Sequence, residues 1–226
     1  MLEDYSKVYL LKIPDKPKKN IIDKYLSCLT RKEKNRFSSF KNSRASLLYL
    51  AGKYFIKKII SEKTKTPIEK IIIKTTKFGR PILHKPKIKN FNFNISHSGE
   101  YVAIAIGNKK IGVDIEKIKP IGMEIAKNCF APEELEYIQK NKKNQLVIFY
   151  TIWTLKESYI KAVGKGMSLS LKSFYFALKG KKIRIHFKRK NTTNFNFKIY
   201  PLNKKYILTI CTHNKKILLK KIDDIF

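Results

Sequence analysis

Acidic side chains are scarce in this chain: 17 Asp and Glu stand against 50 Lys and Arg in 226 residues, a formal charge of +33. That imbalance favours polyanionic partners, namely nucleic acid, acidic proteins or phosphorylated small molecules. The lysines are scattered rather than gathered into an arm or stripe, so charge alone selects none of the three. Cysteine is also rare. Cys28, Cys129 and Cys211 lie far apart with no CxxC spacing, which leaves no pattern for a zinc site or a redox pair. Long apolar runs are missing: "LVIFYTIW" is well short of the roughly 20 residues that a membrane span needs. No amino-terminal stretch joins a basic start to an apolar segment and a small-residue cleavage site. These absences predict a soluble, cytoplasmic protein, and a hydrophobic content of 43% supplies a core for one large domain or two small ones.

The periodicity alternates helices with short strands. "SRASLLYLAGKYFIKKII" (43–60) and "QLVIFYTIWTLKESYIKAV" (145–163) read as helices, the second stopping at Gly164, where a C-terminal glycine belongs. "NFNFNIS" (90–96), "YVAIAIG" (101–107) and "KIGVDIE" (110–116) read as strands, with "SHSGE" and "GNKK" as turns. "KIRIHFK", "NFNFKIY" and "KYILTICT" repeat the style near the end, giving an antiparallel meander in each half. The halves also match each other: Phe91 falls on Phe195, Tyr101 on Tyr206 and Tyr54 on Tyr159, at an offset of 104 to 105. The expected architecture is therefore α+β, a pseudo-dimer of residues 1–109 and 110–226. Each half is a helix packed on a small antiparallel sheet. Gly52 stands where the second half has Glu157, so the acids collect on one side of the repeat.

Those few acids are placed together. In "KKIGVDIEKIKP" (109–120), Asp114 and Glu116 are two apart, which puts both side chains on one face of a strand. In "WTLKESYIKAVGKG" (153–166), Glu157 and Lys161 are four apart and share one helix face. Each pair alone is an ordinary surface arrangement. Together the three carboxylates supply hard oxygen ligands of the kind Mg²⁺ takes, and Lys156 and Lys161 bring positive charge for phosphate. A carboxylate not wholly taken up by metal can accept a proton from an attacking hydroxyl. The constellation points to transfer of a phosphorylated group.

Four ordered blocks, "FGRP", "FNFNISHSGEYVAIAI", "IGVDIEKIKPIGMEIAKNCFAPEE" and "WTLKESYIKAVGKGMSLSL", closely resemble the Sfp-type 4'-phosphopantetheinyl transferases from about Phe78 to about Phe176. The resemblance implies two pseudo-symmetric halves with coenzyme A bound between them. It implies a Mg²⁺-dependent (Mn²⁺-tolerant) transfer of phosphopantetheine from coenzyme A to a serine of an apo acyl or peptidyl carrier, releasing 3',5'-ADP. Carried over by motif, Asp114, Glu116 and Glu157 become the metal set, Glu157 or Glu116 the promoter of serine deprotonation, and Lys161 the phosphate lysine. The same motifs imply that Ser96 and His97 contact the 3'-phosphate of coenzyme A, that Arg80 faces phosphate, and that Glu134 borders the site. Lys34 and Arg44, in and near "RKEKNRF", are the corresponding candidates for the nucleotide phosphates. Thr154 departs from the Ser or Cys often found there. The implied partner is an acidic carrier domain, with "MEIAKNC" as a candidate docking patch, and the implied state is a monomer. A nucleic-acid-binding protein fits the charge but not the clustered acids. A metal-dependent nuclease leaves "SHSG" and "GKGMSL" without a task, and a carrier-binding protein without activity would not need the carboxylates.

Overall fold

The computed structural model describes residues 5–180, 182–188 and 193–222. Its first half contains β1 (Tyr5–Lys12), α1 (Lys19–Ser27), α2 (Arg31–Ser38), α3 (Ser43–Thr64), β2 (Ile72–Thr75), β3 (Pro81–Lys85), β4 (Asn92–Ser98) and β5 (Tyr101–Gly107). The second contains β6 (Ile111–Lys117), α4 (Glu124–Cys129), α5 (Pro132–Lys140), α6 (Gln145–Val163), β7 (Phe174–Lys179), β8 (Lys182–Phe187), β9 (Asn196–Leu202), β10 (Tyr206–Thr212) and β11 (Lys216–Ile222). Two sheets form the body, ordered β11-β1-β5-β4 and β6-β10-β9, with β2-β3 and β7-β8 as separate hairpins.

β5 ("YVAIAIG") and β10 ("YILTICT") are buried along their whole length, as continuous apolar runs require when both faces are covered. One face of β5 sends Val102, Ile104 and Ile106 into a core shared with Leu48, Ala51 and Phe55 of α3. The other face joins Ala103 and Ala105 to Val113 and Ile115 of β6 and to Leu208 and Ile210 of β10. This second cluster is the seam between the halves. α6 covers the outer face of the second sheet, where Thr154 meets Thr209 of β10, hydroxyl to hydroxyl, at 2.8 Å.

The repeat read in the sequence is present in the strand registers. Lys12 pairs with Tyr101 as Lys117 pairs with Tyr206, a shift of 105 in both strands, and β4 maps onto β9 with a shift of 104. Tyr101 and Tyr206 are thus equivalent, and their rings meet edge to face at 4.9 Å. Both halves also use one helix-pinning device. Glu33, third residue of α2, accepts the Thr30 amide and the buried Lys57 ammonium of α3. Glu134, third residue of α5, accepts the Ala131 amide and the buried Lys156 ammonium of α6. Such a glutamate caps its own helix and ties it to the long one.

Two expectations need correction. "SHS" is not a turn, because β4 runs through Ser98 and the reversal is made by Gly99, at φ 59°, and Glu100. The sheets are also not simple meanders. β1 lies against β5, and β11 returns to pair in parallel with β1, whose second edge would otherwise leave its backbone groups without partners.

Gly112 sets how closely α6 approaches β6. A Cβ there would lie 2.0 Å from the Ser158 carbonyl oxygen and 2.5 Å from the Ala162 amide nitrogen, both backbone atoms. Gly112→Ala is expected to lose about 3 kcal/mol in urea unfolding. Gly122→Ala, where nothing lies within 4 Å, should stay within about 0.5 kcal/mol of the parent.

Candidate active site

β6 carries Asp114 and Glu116, and α6 lies across it with Glu157 and Lys161. The Lys161 ammonium donates to Asp114 Oδ1 at 2.6 Å and to Ser96 Oγ at 3.1 Å. Ser96 Oγ in turn donates to Asp114 Oδ1 at 2.8 Å, and Ser98 Oγ donates to Glu116 Oε2 at 2.8 Å. Asp114 Oδ2 is buried with no hydrogen-bond partner, an orphan acceptor that a cation would satisfy. Burial, and then the neighbouring Asp114 charge, raises the Glu116 carboxyl above its ordinary range, against the opposing pull of Ser98 and Lys161. Burial likewise raises Glu157, with Lys161 opposing and Asp114 adding to it. One ammonium therefore sits among three acids, of which Glu116 and Glu157 hold their protons more tightly than free glutamate.

Beside this group is a cleft of about 480 Å³, walled by the turn before β3, by β4, by the end of α6 and by the loop after it. Arg80, Glu157 and Lys161 line it, together with Phe78, Asn94 and Lys172. Arg80 donates to the Ala162 carbonyl at 3.1 Å, a cation placed at a helix C-terminus, and so joins the first half to α6. Gly164, at φ 79°, closes α6 beneath that guanidinium, where a Cβ would lie 3.0 Å from Arg80 Nη1. His97 is exposed near the end of β4. Desolvation, and then the Lys161 charge, lowers its pKa below the usual imidazole range.

Other candidates are not brought to the cleft. Lys156 is fully buried: its ammonium donates to Leu171 O and Phe174 O, both at 2.7 Å, and pairs with Glu134 Oε2 at 2.9 Å. All three protons are used, so it holds α6 and the following loop to α5 rather than facing phosphate. Glu134 is the interior end of that pair, with the Phe176 amide as a further donor at 2.9 Å. Arg44 donates to the carbonyls of Ile13, Pro14 and Gly99, which fixes the β4–β5 turn and leaves it no free fork for a nucleotide. Lys34 is exposed on α2, outside the cleft lining. Ser96 is buried beneath Lys161 and faces the acids. Asn94, Phe78 and Lys172 line the cleft without having been singled out in the sequence. Only the alternation of Asn94 with Ser96 and Ser98 could have suggested the first.

As a donor set, Asp114, Glu116 and Glu157 offer the hard oxygens a divalent cation takes, and the orphan Asp114 Oδ2 fits such a role. Among the described residues, no three His, Cys, Asp or Glu side chains converge closely enough to enclose an ion. The Lys161 ammonium instead lies directly on Asp114.

The family model described as the 4'-phosphopantetheinyl transferase superfamily matches residues 110–211, and the one described as 4'-phosphopantetheinyl transferase, N-terminal, matches 16–109. The transferase ffp of Bacillus subtilis is 32% identical over 191 residues, covering 84% of each chain. The chain belongs to the 4'-phosphopantetheinyl transferases. The transferase is also 35% identical over 153 residues to Sfp of Bacillus subtilis (strain 168), covering 67% of each. It is 36% identical over 157 residues to the L-aminoadipate-semialdehyde dehydrogenase-phosphopantetheinyl transferase of Rattus norvegicus, covering 64% of this chain and 51% of that one. A solved holo-[acyl-carrier-protein] synthase from Thermotoga maritima aligns with a TM-score of 0.40 at 15% identity, over 46% of this chain and 61% of that one, too slight a likeness to argue from. Among the described residues, no helix of the transferase is long and apolar enough to cross a membrane.

Lys156→Met leaves the buried Glu134 without its cation and is expected to cost about 3–5 kcal/mol in chemical unfolding. A lysine that merely held phosphate would show a raised KM for substrate at unchanged stability instead. A second expectation concerns pH. A carboxyl whose folded pKa is raised contributes stability below its ordinary range and loses it as pH rises through the raised value. Glu116→Gln should therefore melt higher than the parent at neutral pH without divalent ions, and the difference should shrink as pH falls from the raised value to the ordinary glutamate range, a trend that thermal scans at several pH values would read directly.

Proposed function

We propose that the transferase moves 4'-phosphopantetheine from coenzyme A to a serine hydroxyl of an apo acyl or peptidyl carrier protein, releasing 3',5'-ADP, in a Mg²⁺-dependent reaction for which Mn²⁺ can substitute. The observation that carries this reading is the group of three neighbouring acids and one lysine on β6 and α6, of which Glu157 and Lys161 line the cleft between residues 1–109 and 110–226. Family membership supplies the reaction class.

Asp114, Glu116 and Glu157 are the residues that would hold the metal, which when bound supplies neutralisation of the pyrophosphate charge. Arg80 and Lys161 line the same cleft and are placed to hold phosphate oxygens, while His97 stands at the end of β4 for the more distant phosphate. Glu157 or Glu116 accepts the proton of the carrier serine; their raised proton affinity moves them toward the value a general base needs near neutral pH. The serine oxygen then bonds to the phosphorus attached to pantetheine, the bond from that phosphorus to the bridging oxygen breaks, and the electron pair leaves with 3',5'-ADP. Apolar walls at Phe78, Ile160 and Leu169 fit the pantetheine arm. The +33 charge would speed encounter with an acidic carrier and with coenzyme A alike, and the reading includes action as a cytoplasmic monomer without specific nucleic-acid binding.

Intact mass of an apo carrier domain, after incubation with the transferase and coenzyme A, tests this directly. The expected result is the gain of one phosphopantetheinyl group with Mg²⁺ and none with excess chelator. Equal gain in both would remove the metal, and no gain on acyl and peptidyl carriers alike would remove the reaction. Asp114→Ala and Glu157→Ala are each expected to abolish the gain with circular dichroism unchanged.

A further inference from the structure

The next assignment rests on the transferase reading and concerns what aims its acids. Among the described residues, β4 pairs in register with β5 and β6 with β10, and β4 and β6 share no backbone ladder. They nevertheless run side by side. Three alternate residues of β4 accept three alternate amides of β6: Asn94 Oδ1 from Val113 at 3.0 Å, Ser96 Oγ from Ile115 at 3.4 Å, and Ser98 Oγ from Lys117 at 3.0 Å. For the seam alone an asparagine suffices at each step, as Asn94 shows. A serine does one thing more. Its oxygen accepts the amide, and its single proton remains to be given elsewhere. Ser96 gives that proton to Asp114, and Ser98 gives it to Glu116, each at 2.8 Å.

We propose that Ser96 and Ser98 are positioning residues that aim Asp114 and Glu116. The β6 amide orients each hydroxyl, and the hydroxyl holds the carboxylate on the residue just before that amide. Ser96 has a further neighbour in Lys161, so its oxygen links three members of the site. The residue between the serines, His97, lies on the opposite strand face and is left out of the ladder. The two serines differ in burial. Ser96 is buried, whereas Ser98 is only part-buried, which makes Ser98 the better position to alter without disturbing packing.

Ser98→Ala and Ser98→Thr separate aiming from simple support, because threonine keeps the hydroxyl. In a crystal structure of Ser98→Ala, the Glu116 carboxylate is expected to turn away from β4, and in Ser98→Thr to keep its parent position. Mn²⁺ affinity, read by titration, should fall about ten- to a hundred-fold in the alanine variant, kcat should fall by a similar factor, KM for coenzyme A should stay within about twofold, and threonine should restore all three. An unmoved Glu116 with unchanged Mn²⁺ affinity in Ser98→Ala would overturn the assignment even if the melting temperature dropped, since Ser98 would then serve the seam alone. The structural comparison needs no carrier protein. It decides the serine assignment even if the parent enzyme modified no carrier tried, a result that would count against the transferase reading alone.

Discussion

The amides of Val113, Ile115 and Lys117 face a strand that offers them no backbone carbonyls in register, and the architecture depends on how they are satisfied. A buried amide without a partner costs on the order of 1–3 kcal/mol, so three in one strand would undo much of the stability of an ordinary domain. Side chains of β4 meet that need. Because they come from the other half of the chain, the same bonds hold the halves together, align β6 beside β4 and set Asp114 and Glu116 beside the Lys161 that lines the cleft. The apolar seam behind them, with Ala103 and Ala105 against Val113 and Ile115, supplies adhesion without direction. The polar ladder supplies the direction.

The repeat is structural but not chemical, and among the described residues the acids gather in its second half. The registers place Tyr9 where the second half has Asp114, and Leu11 where it has Glu116. By the same repeat Gly52 answers Glu157 and Ile56 answers Lys161. Each of these four charged residues has an uncharged counterpart. In the first half, Tyr9 and Leu11 line a separate pocket with Tyr25, Tyr54 and Phe55, where Tyr25 and Tyr54 stack at 3.8 Å. Gathering three acids in one half-buried cluster around a single lysine is costly, and the repeat carries such a cluster in the second half.

Much of this was legible in the sequence. The two long helices, the central strands and the 105-residue repeat follow from apolar periodicity, which packing enforces and which therefore leaves a plain trace. Asp114, Glu116, Glu157 and Lys161 stood out because acids are rare in so basic a chain. What stayed hidden depended on distant partners. Lys156 and Lys161 lie on one helix with the same charge, yet one is closed within the interior by Glu134 and two carbonyls while the other sits at the cleft. Arg44 likewise gave no sign that three carbonyls would take its guanidinium. β1 and β11 were not foreseen, because a parallel pair formed between opposite regions of a chain has no local signature.

A ladder of backbone bonds is indifferent to sequence, since every residue but proline brings the same amide and carbonyl. The contact between β4 and β6 is of another kind. It is written in side chains, so each rung is encoded separately and a single codon can loosen it, tighten it or change what it holds. The junction between the two halves is therefore a heritable setting rather than a fixed property of the sheet, and in this chain that setting and the aim of the carboxylates are inherited together.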